Sequence, residues 1–149
     1  MSHDRRHRGF AWGRSVSAPT TATRKAVYQR DGYRCVTCGD MEGLSFQHRI
    51  RDGMGGSRQL PPPVNGLTAC MSCNARYEAD LQTVALAYGW KCKTFTVPEH
   101  VPVYYPGEFQ WYRLEGTKRV RITAVVAHEL MTAAYGWDVW IRWFQEAKR

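Results

Sequence analysis

The sequence predicts an α+β fold made of a small core around one hairpin, followed by a second hairpin and a helical segment. Three observations support this class. The stretch "LSFQHRI" (44–50) alternates apolar and polar residues, as a half-buried strand does. Two C-x-x-C pairs stand on either side of that strand. The C-terminal part of the chain combines strand-like arms with an apolar segment at helical spacing.

The charge of the chain indicates a polyanionic partner. Its 149 residues carry a formal net charge of +8, and lysine and arginine bind phosphates whatever the base sequence. Nucleic acid is the first candidate, an anionic membrane surface is the second, and charge that only keeps the protein in solution is the third. No apolar run approaches the roughly 18 residues of a membrane span, and "MSHDRRHRGFAW" (1–12) lacks the apolar stretch of a secretory signal. We therefore expect a protein of the reducing cytoplasm without a membrane partner.

The first 89 residues divide into an arm and a core. Residues 1–20 are rich in Arg, Ser and Gly and lack periodicity, which predicts a flexible basic arm. The core comprises residues 21–89. Its predicted elements are a helix over 21–30 stopped by Asp31 and Gly32, the strand over 44–50, an irregular Gly- and Pro-rich loop over 51–66, and a helix from Cys73 or Asn74 to Gly89.

Residues 90–149 form a predicted C-terminal α+β extension, whose role the sequence leaves open. Proline interrupts an extended stretch at its start, and "EFQWYRL" and "RVRIT" are predicted hairpin arms around "EGTK". Apolar and aromatic residues at helical spacing then predict one helix broken at Gly136 or two short helices. Its aromatic residues are predicted to belong to the core rather than to a base-stacking platform; they are Trp137, Trp140, Trp143 and Phe144.

Four cysteines form two C-x-x-C pairs, Cys35 with Cys38 and Cys70 with Cys73, separated by 31 residues. Each pair places two thiolates on one turn, where both reach the same ion at about 2.3 Å. Two pairs complete a closed tetrahedral site of the kind that holds a structural Zn²⁺ ion, because no position stays open for water. A redox-active C-x-x-C usually stands alone at a helix start. Cys92 has no partner pair and is predicted to be a small buried apolar residue.

His48, Asn65 and Asn74 lie within the segment that the cysteines enclose or directly after it. A neutral imidazole such as that of His48 accepts a proton near pH 7. The motifs run in the order C-x-x-C-G, "QHR", a Gly-rich loop, "VNGLTAC" and C-x-x-C-N, with a nine-residue step from Asn65 to Asn74. In this order, residues 24–80 resemble the HNH endonucleases that contain a four-cysteine zinc, and the run is also similar to HNH proteins of tailed bacteriophages.

The resemblance implies a ββα-metal, treble-clef-like core that hydrolyses DNA phosphodiester bonds with one divalent ion, Mg²⁺ or Mn²⁺. His48 matches the general base, Asn65 matches the residue that orients the loop and thereby the histidine, and Asn74 matches a ligand of the divalent ion. Double-stranded DNA is the implied substrate. A phage protein of the host cytoplasm would act in genome processing, with packaging proteins as partners, or in homing.

Gln47 departs from the family pattern, in which the residue before the catalytic histidine is Asp or His and binds the metal. Gln47 and Asn74 supply two neutral oxygen ligands and no charge, which predicts weak Mg²⁺ binding. Substrate phosphate or Asp52 would complete the site, or the ion would be Mn²⁺. The alternatives are a zinc-stabilised DNA-binding module with a weakened or lost nuclease centre, and an interaction protein whose charge only solubilises it.

Arg49, Arg51 and Arg76 are the candidate DNA-contact residues. A guanidinium group suits phosphate, but ordinary solvated arginines fit the sequence equally well. DNA specificity and oligomeric state are left open.

Overall fold

A computed structural model describes residues 18–51 and 59–149 and confirms the α+β class. Its helices are α1 (Thr21–Arg30), α2 (Met71–Arg76), α3 (Gln82–Ala87), α4 (Ala124–Tyr135) and α5 (Trp137–Ala147). Its strands are β1 (Leu44–His48), β2 (Gly66–Cys70), β3 (Val103–Tyr105), β4 (Gln110–Glu115) and β5 (Lys118–Ile122). No helix in this part of the chain is long and apolar enough to cross a membrane. The predicted arm, except its last three residues, and Asp52 lie outside the described residues.

Helix α1 has the ends that its sequence predicts. The Thr20 hydroxyl accepts a hydrogen bond from the Thr23 backbone N–H at 3.1 Å, which satisfies one of the free donors of the first turn. The helix stops at Asp31, and Gly32 follows with a φ of 70°, a left-handed conformation that favours glycine. The chain then enters the turn that contains the first cysteine pair.

Strands β1 and β2 form a two-stranded antiparallel sheet in which His48 lies opposite Gly66 and Leu44 lies opposite Cys70. Leu44, Phe46 and His48 share one face, as the alternation predicts. In the described part of the predicted irregular loop between the strands, a short 3₁₀ turn at Pro63–Asn65 directly precedes β2. Helix α2 begins at the residue after β2, so the sheet and the helix are joined without a linker.

The single helix predicted from Cys73 or Asn74 to Gly89 is wrong. Helix α2 starts earlier, at Met71, and the chain turns before α3. Tyr77 at the break is 1% exposed, hydrogen-bonds Thr37, and packs on Trp90 with a ring-centroid distance of 6.0 Å. Burial of this side chain against two other segments outweighs the helical propensity of the stretch.

The extension contains the predicted hairpin and two predicted helices. Strands β4 and β5 pair around a tight turn at Gly116, and Gly136, with a φ of 82°, separates α4 from α5. Strand β3, which was not predicted, pairs with β4 on the other side. Trp140 is fully buried, as predicted for the aromatic residues, whereas Trp137 remains 52% exposed.

The extension and the core share one hydrophobic interior. Cys35 and Leu67 of the core belong to the same buried cluster as Val103 and Leu114 of the extension. A second cluster places Met131 and other α4 and α5 side chains against the turn after α3. Residues 90–149 therefore support the core directly.

A buried ionic network strengthens this connection. The Arg30 guanidinium binds the Asp31 carboxylate through two nitrogens, at 2.8 and 3.0 Å. Tyr105 of β3 donates its hydroxyl to the same carboxylate at 2.7 Å, and the Thr68 backbone N–H of β2 donates to it at 2.9 Å. Burial, together with the Asp31 charge, holds the pKa of Tyr105 well above its ordinary value, so the phenol stays a donor.

Candidate functional site

The four paired cysteines meet in one cluster. Cys35 and Cys38 lie in the turn after α1, Cys70 ends β2, and Cys73 lies in the first turn of α2. Their sulfur atoms all lie within 4.8 Å of one another, and only Cys38 is exposed. Four thiols at this separation can hold a metal ion such as zinc, as the spacing of the two pairs predicts.

The sulfur positions can be compared with the geometry of a four-thiolate site. A tetrahedron with metal–sulfur bonds of about 2.3 Å has sulfur–sulfur edges of about 3.8 Å. The Cys38 and Cys70 sulfur atoms lie 3.8 Å apart. The cluster thus has the ligand type and number of a four-thiolate zinc site, and the Cys38–Cys70 separation equals the edge of such a tetrahedron.

The pKa values of the clustered thiols move in opposite directions. Burial and the neighbouring thiols raise the pKa of Cys73. Burial also acts to raise the pKa of Cys70, but the Cys73 backbone N–H donates to its sulfur at 3.3 Å, and the pKa of Cys70 is lowered overall. The backbone donor thus favours the thiolate form of Cys70, the form in which cysteine binds metals.

His48 is the last residue of β1 and is half-buried. Its ring meets the Phe46 ring edge-on, with centroids 5.1 Å apart and an interplanar angle of 75°. Its backbone carbonyl accepts hydrogen bonds from the Gln47 side-chain amide at 2.6 Å and from the Lys91 ammonium at 3.3 Å. The backbone at His48 is therefore held by its own strand and by the extension.

Asn65 connects the two ends of the loop that separates β1 from β2. Its side-chain oxygen accepts the Ile50 backbone N–H at 2.7 Å, and its backbone oxygen accepts the Arg49 N–H at 2.8 Å. Both bonds hold residues that directly follow His48. This placement agrees with the loop-orienting role that the sequence resemblance implies.

Gln47 and Asn74 are both associated with one side of β1. Asn74 is half-buried on α2, and its amide nitrogen lies 3.4 Å from the hydroxyl of Ser45. Ser45 and Gln47 alternate onto the same face of the strand, opposite the face that carries Phe46 and His48. Gln47 is 1% exposed, and within the described residues no donor reaches its buried side-chain oxygen Oε1. An orphaned buried acceptor of this kind is suited to a cation or an ordered water molecule.

The candidate divalent-ion site is poor in charge. Among residues 18–51 and 59–149, the cysteine cluster is the one group of three or more His, Cys, Asp or Glu side chains close enough to share a metal. Gln47 and Asn74 themselves offer only neutral amide oxygens. The donors fit a hard cation by type, but they provide no charge to retain it without substrate.

The prediction that Arg49 contacts DNA is wrong. The residue is 0% exposed. Its guanidinium donates to four backbone carbonyls at 2.6 to 3.0 Å; these belong to Val64, Gly89, Pro98 and Val101. A guanidinium that is buried and occupied in this way cannot reach a phosphate. The strand pattern places Arg49 opposite the Phe46 face, but it does not reveal that the extension covers this side.

The other two arginines are exposed. Arg51 lies three residues beyond His48 and is exposed. Arg76 forms an ion pair with Asp80 at 2.8 Å, one helical turn further along the chain. Both remain accessible to a phosphate, and their contact with DNA stays a prediction.

In the extension, the sequence predicts the burial of Cys92 but not the contacts of its neighbour Lys91. Lys91 lies between Glu78, at 2.8 Å, and the His48 carbonyl, and no local motif signals this contact. Cys92 is buried outside the metal cluster, as predicted, and its backbone N–H donates to the Arg49 carbonyl at 2.7 Å. Burial raises the pKa of the Cys92 thiol, which keeps it protonated and unreactive.

No protein-family model, curated protein or solved structure matches this chain. The functional assignment therefore depends on the motif order and on the arrangement of these side chains.

Proposed function

We propose that this protein is a metal-dependent endonuclease that hydrolyses phosphodiester bonds of double-stranded DNA. The observation that supports it best is the cysteine cluster between β2 and the turn after α1. It joins the hairpin that bears Gln47 and His48 to the helix that bears Asn74, in the order and spacing that resemble the HNH endonucleases. The formal charge of +8 supports a polyanionic substrate.

The ion in the cysteine cluster is zinc with a structural role. Four cysteine ligands leave no open coordination position, so the cluster cannot activate water itself. Its role is to hold the turn at Cys35 and Cys38 against the start of α2, which fixes the position of the β1–β2 hairpin relative to that helix.

In the proposed reaction His48 accepts a proton from a water molecule that attacks the phosphorus atom. The new P–O bond forms as the bond to the 3′ oxygen breaks, and the leaving oxygen takes a proton from solvent, which gives a 5′-phosphate and a 3′-hydroxyl. Gln47 and Asn74 would hold the divalent ion, Mg²⁺ or Mn²⁺, which supplies charge stabilisation for the phosphoryl and leaving oxygens when bound. Asn65 positions the loop, and Arg51 and Arg76 contact phosphates.

The biological setting follows from the resemblance to phage HNH proteins. The proposed roles are genome processing alongside packaging proteins, or homing, within the host cytoplasm.

A DNA-binding module without nuclease activity is the second candidate. The observation that favours it is Gln47, whose amide nitrogen donates to the His48 carbonyl and whose side chain brings no charge that would help to retain a cation. Both candidates predict DNA binding that weakens steeply as salt rises, whereas only the first predicts cleavage. Absence of DNA binding even at low salt would leave the interaction protein as the remaining explanation.

Plasmid nicking by wild type, His48→Ala and His100→Ala separates these candidates. We expect metal-dependent nicking by wild type and a loss of about 100-fold or more in His48→Ala, because general-base catalysis contributes on that scale. His100 is exposed in the extension, so His100→Ala is the matched control and should retain activity. DNA binding by all three proteins, with no nicking by any under Mg²⁺ or Mn²⁺, supports the second candidate instead.

Gln47→Asp tests the weakness of the divalent-ion site. We expect it to lower the metal concentration needed for half-maximal nicking by roughly tenfold, because a carboxylate adds charge to a neutral donor set. Gln47→Glu is the control for side-chain length, since it keeps the shape of glutamine and adds the same charge; both variants remove the amide donor to the His48 carbonyl. If both variants lose activity at every metal concentration, the glutamine amide has a role that charge cannot replace.

A further inference from the structure

Gly66 is required for space rather than for its backbone conformation. Its φ of −111° and ψ of 144° are extended values that any residue adopts. A Cβ atom built at Gly66 would lie 2.2 and 2.3 Å from two carbon atoms of the Phe46 ring. The Phe46 ring therefore occupies the volume that a side chain at Gly66 would fill, an arrangement in which an aromatic ring covers a cross-strand glycine.

The same ring contacts the candidate general base. Gly66 pairs with His48 across the sheet, and Phe46 lies two residues before His48 on the same face. The Phe46 and His48 rings meet edge-on at 5.1 Å, a favourable arrangement for two aromatic groups. Phe46 is 7% exposed, so its ring has little freedom to move away.

We propose that Phe46 and Gly66 are positioning residues that restrict the orientation of the His48 imidazole. Gly66 lets the Phe46 ring lie against the strand, and the ring then forms one wall of the space in which the imidazole turns. This inference builds on the proposed nuclease function, although the positioning itself is a property of the free protein. Neither residue touches substrate in this proposal, and both act through His48.

A double-mutant cycle between Gly66→Ala and Phe46→Val tests the proposal. The alanine methyl group pushes against the ring, whereas valine lacks the ring carbons that would meet it. We expect each single variant to lower the single-turnover nicking rate by about 10- to 100-fold, the scale expected from small displacements of a catalytic group. In the Phe46→Val background, adding Gly66→Ala should cause almost no further loss, because the colliding ring is already absent.

The His48 ring resonances in an NMR spectrum provide a readout that does not depend on cleavage. They are assigned by their loss in His48→Ala, and both single variants should shift them while zinc content stays at one ion per chain. Gly107→Ala is the control, because a Cβ at Gly107 meets no atom within 4 Å. If Gly66→Ala fails to fold, the His48 resonances of Phe46→Val alone still show whether the Phe46 ring restricts the imidazole.

Two results would overturn the positioning proposal. One is a His48 spectrum unchanged by Phe46→Val, and the other is an equal loss of rate from Gly66→Ala in the presence and absence of Phe46. Failure of the nuclease function looks different, because wild type would then not cleave DNA although its His48 resonances still respond to both substitutions.

Discussion

Cys73→Ser is expected to abolish stoichiometric zinc binding and to unfold the segment that links the turn at Cys35 to α2. Structural zinc contributes about 10–16 kcal/mol of apparent binding free energy in small peptides, which is as large as the whole free energy of unfolding of many domains. Cys73 supplies one of four ligands, and serine removes this sulfur ligand while it keeps the backbone N–H that donates to the Cys70 sulfur. Elemental analysis measures the zinc content, and thermal unfolding followed by circular dichroism measures the stability.

Cys92→Ala is the matched control for loss of a buried cysteine. Cys92 lies outside the cluster, so this variant should keep one zinc ion per chain and suffer only the smaller cost of removing a sulfur atom from the core. The structural-zinc assignment is contradicted if wild type contains no stoichiometric metal, or if Cys73→Ser unfolds at the wild-type temperature.

Arg49→Met is expected to lower the free energy of unfolding by about 3–5 kcal/mol. The substitution removes the guanidinium donors to the buried carbonyls of Val64, Gly89 and Val101, and a buried acceptor left without a donor costs about 1–3 kcal/mol. The Pro98 carbonyl keeps a second donor, the Val101 backbone N–H at 3.2 Å. Methionine fills much of the same space, so the loss reflects hydrogen bonding more than a cavity. Urea unfolding at fixed zinc concentration measures the change.

Arg76→Met provides the comparison for Arg49→Met. Arg76 makes an exposed ion pair with Asp80, and exposed pairs contribute at most about 1 kcal/mol. A loss in Arg49→Met no larger than that in Arg76→Met would show that the buried guanidinium is not an organising contact of the fold.

Arg49 also gives the C-terminal extension a structural role. The carbonyls of Pro98 and Val101 belong to the extension, and the carbonyl of Val64 belongs to the loop before Asn65. One side chain therefore joins the residue after His48 to both. The extension acts as the support behind the candidate base, together with the Lys91 contact to the His48 carbonyl.

Local patterns predicted much of the fold and the metal cluster. The C-x-x-C spacing is a property of single turns, so two pairs are recognisable without knowledge of the fold. Helix α1 has its own capping threonine and stop glycine, and Gly136 marks the break between α4 and α5 because it must adopt a left-handed φ. In each case the determining residues are neighbours in sequence.

The errors arose where distant segments decide the structure. The stretch that contains Tyr77 has good helical propensity. However, the tyrosine is hydrogen-bonded to Thr37 and packs against Trp90, and the helix breaks there. Arg49 was predicted at the surface because a strand pattern cannot show that the extension covers its face. Lys91, Phe46 and Gly66 gain their roles only through contacts across the fold, so no motif signals them.

The most direct test of the central proposal is the single-turnover rate constant for nicking of supercoiled plasmid DNA by zinc-loaded wild type and His48→Ala. Both proteins should contain equal zinc, and each should be in excess over plasmid at saturating Mn²⁺ so that binding does not limit the rate. We predict a wild-type rate at least about 100-fold above that of His48→Ala. Equal rates for the two proteins, or no cleavage by wild type with either Mg²⁺ or Mn²⁺, would contradict the nuclease assignment.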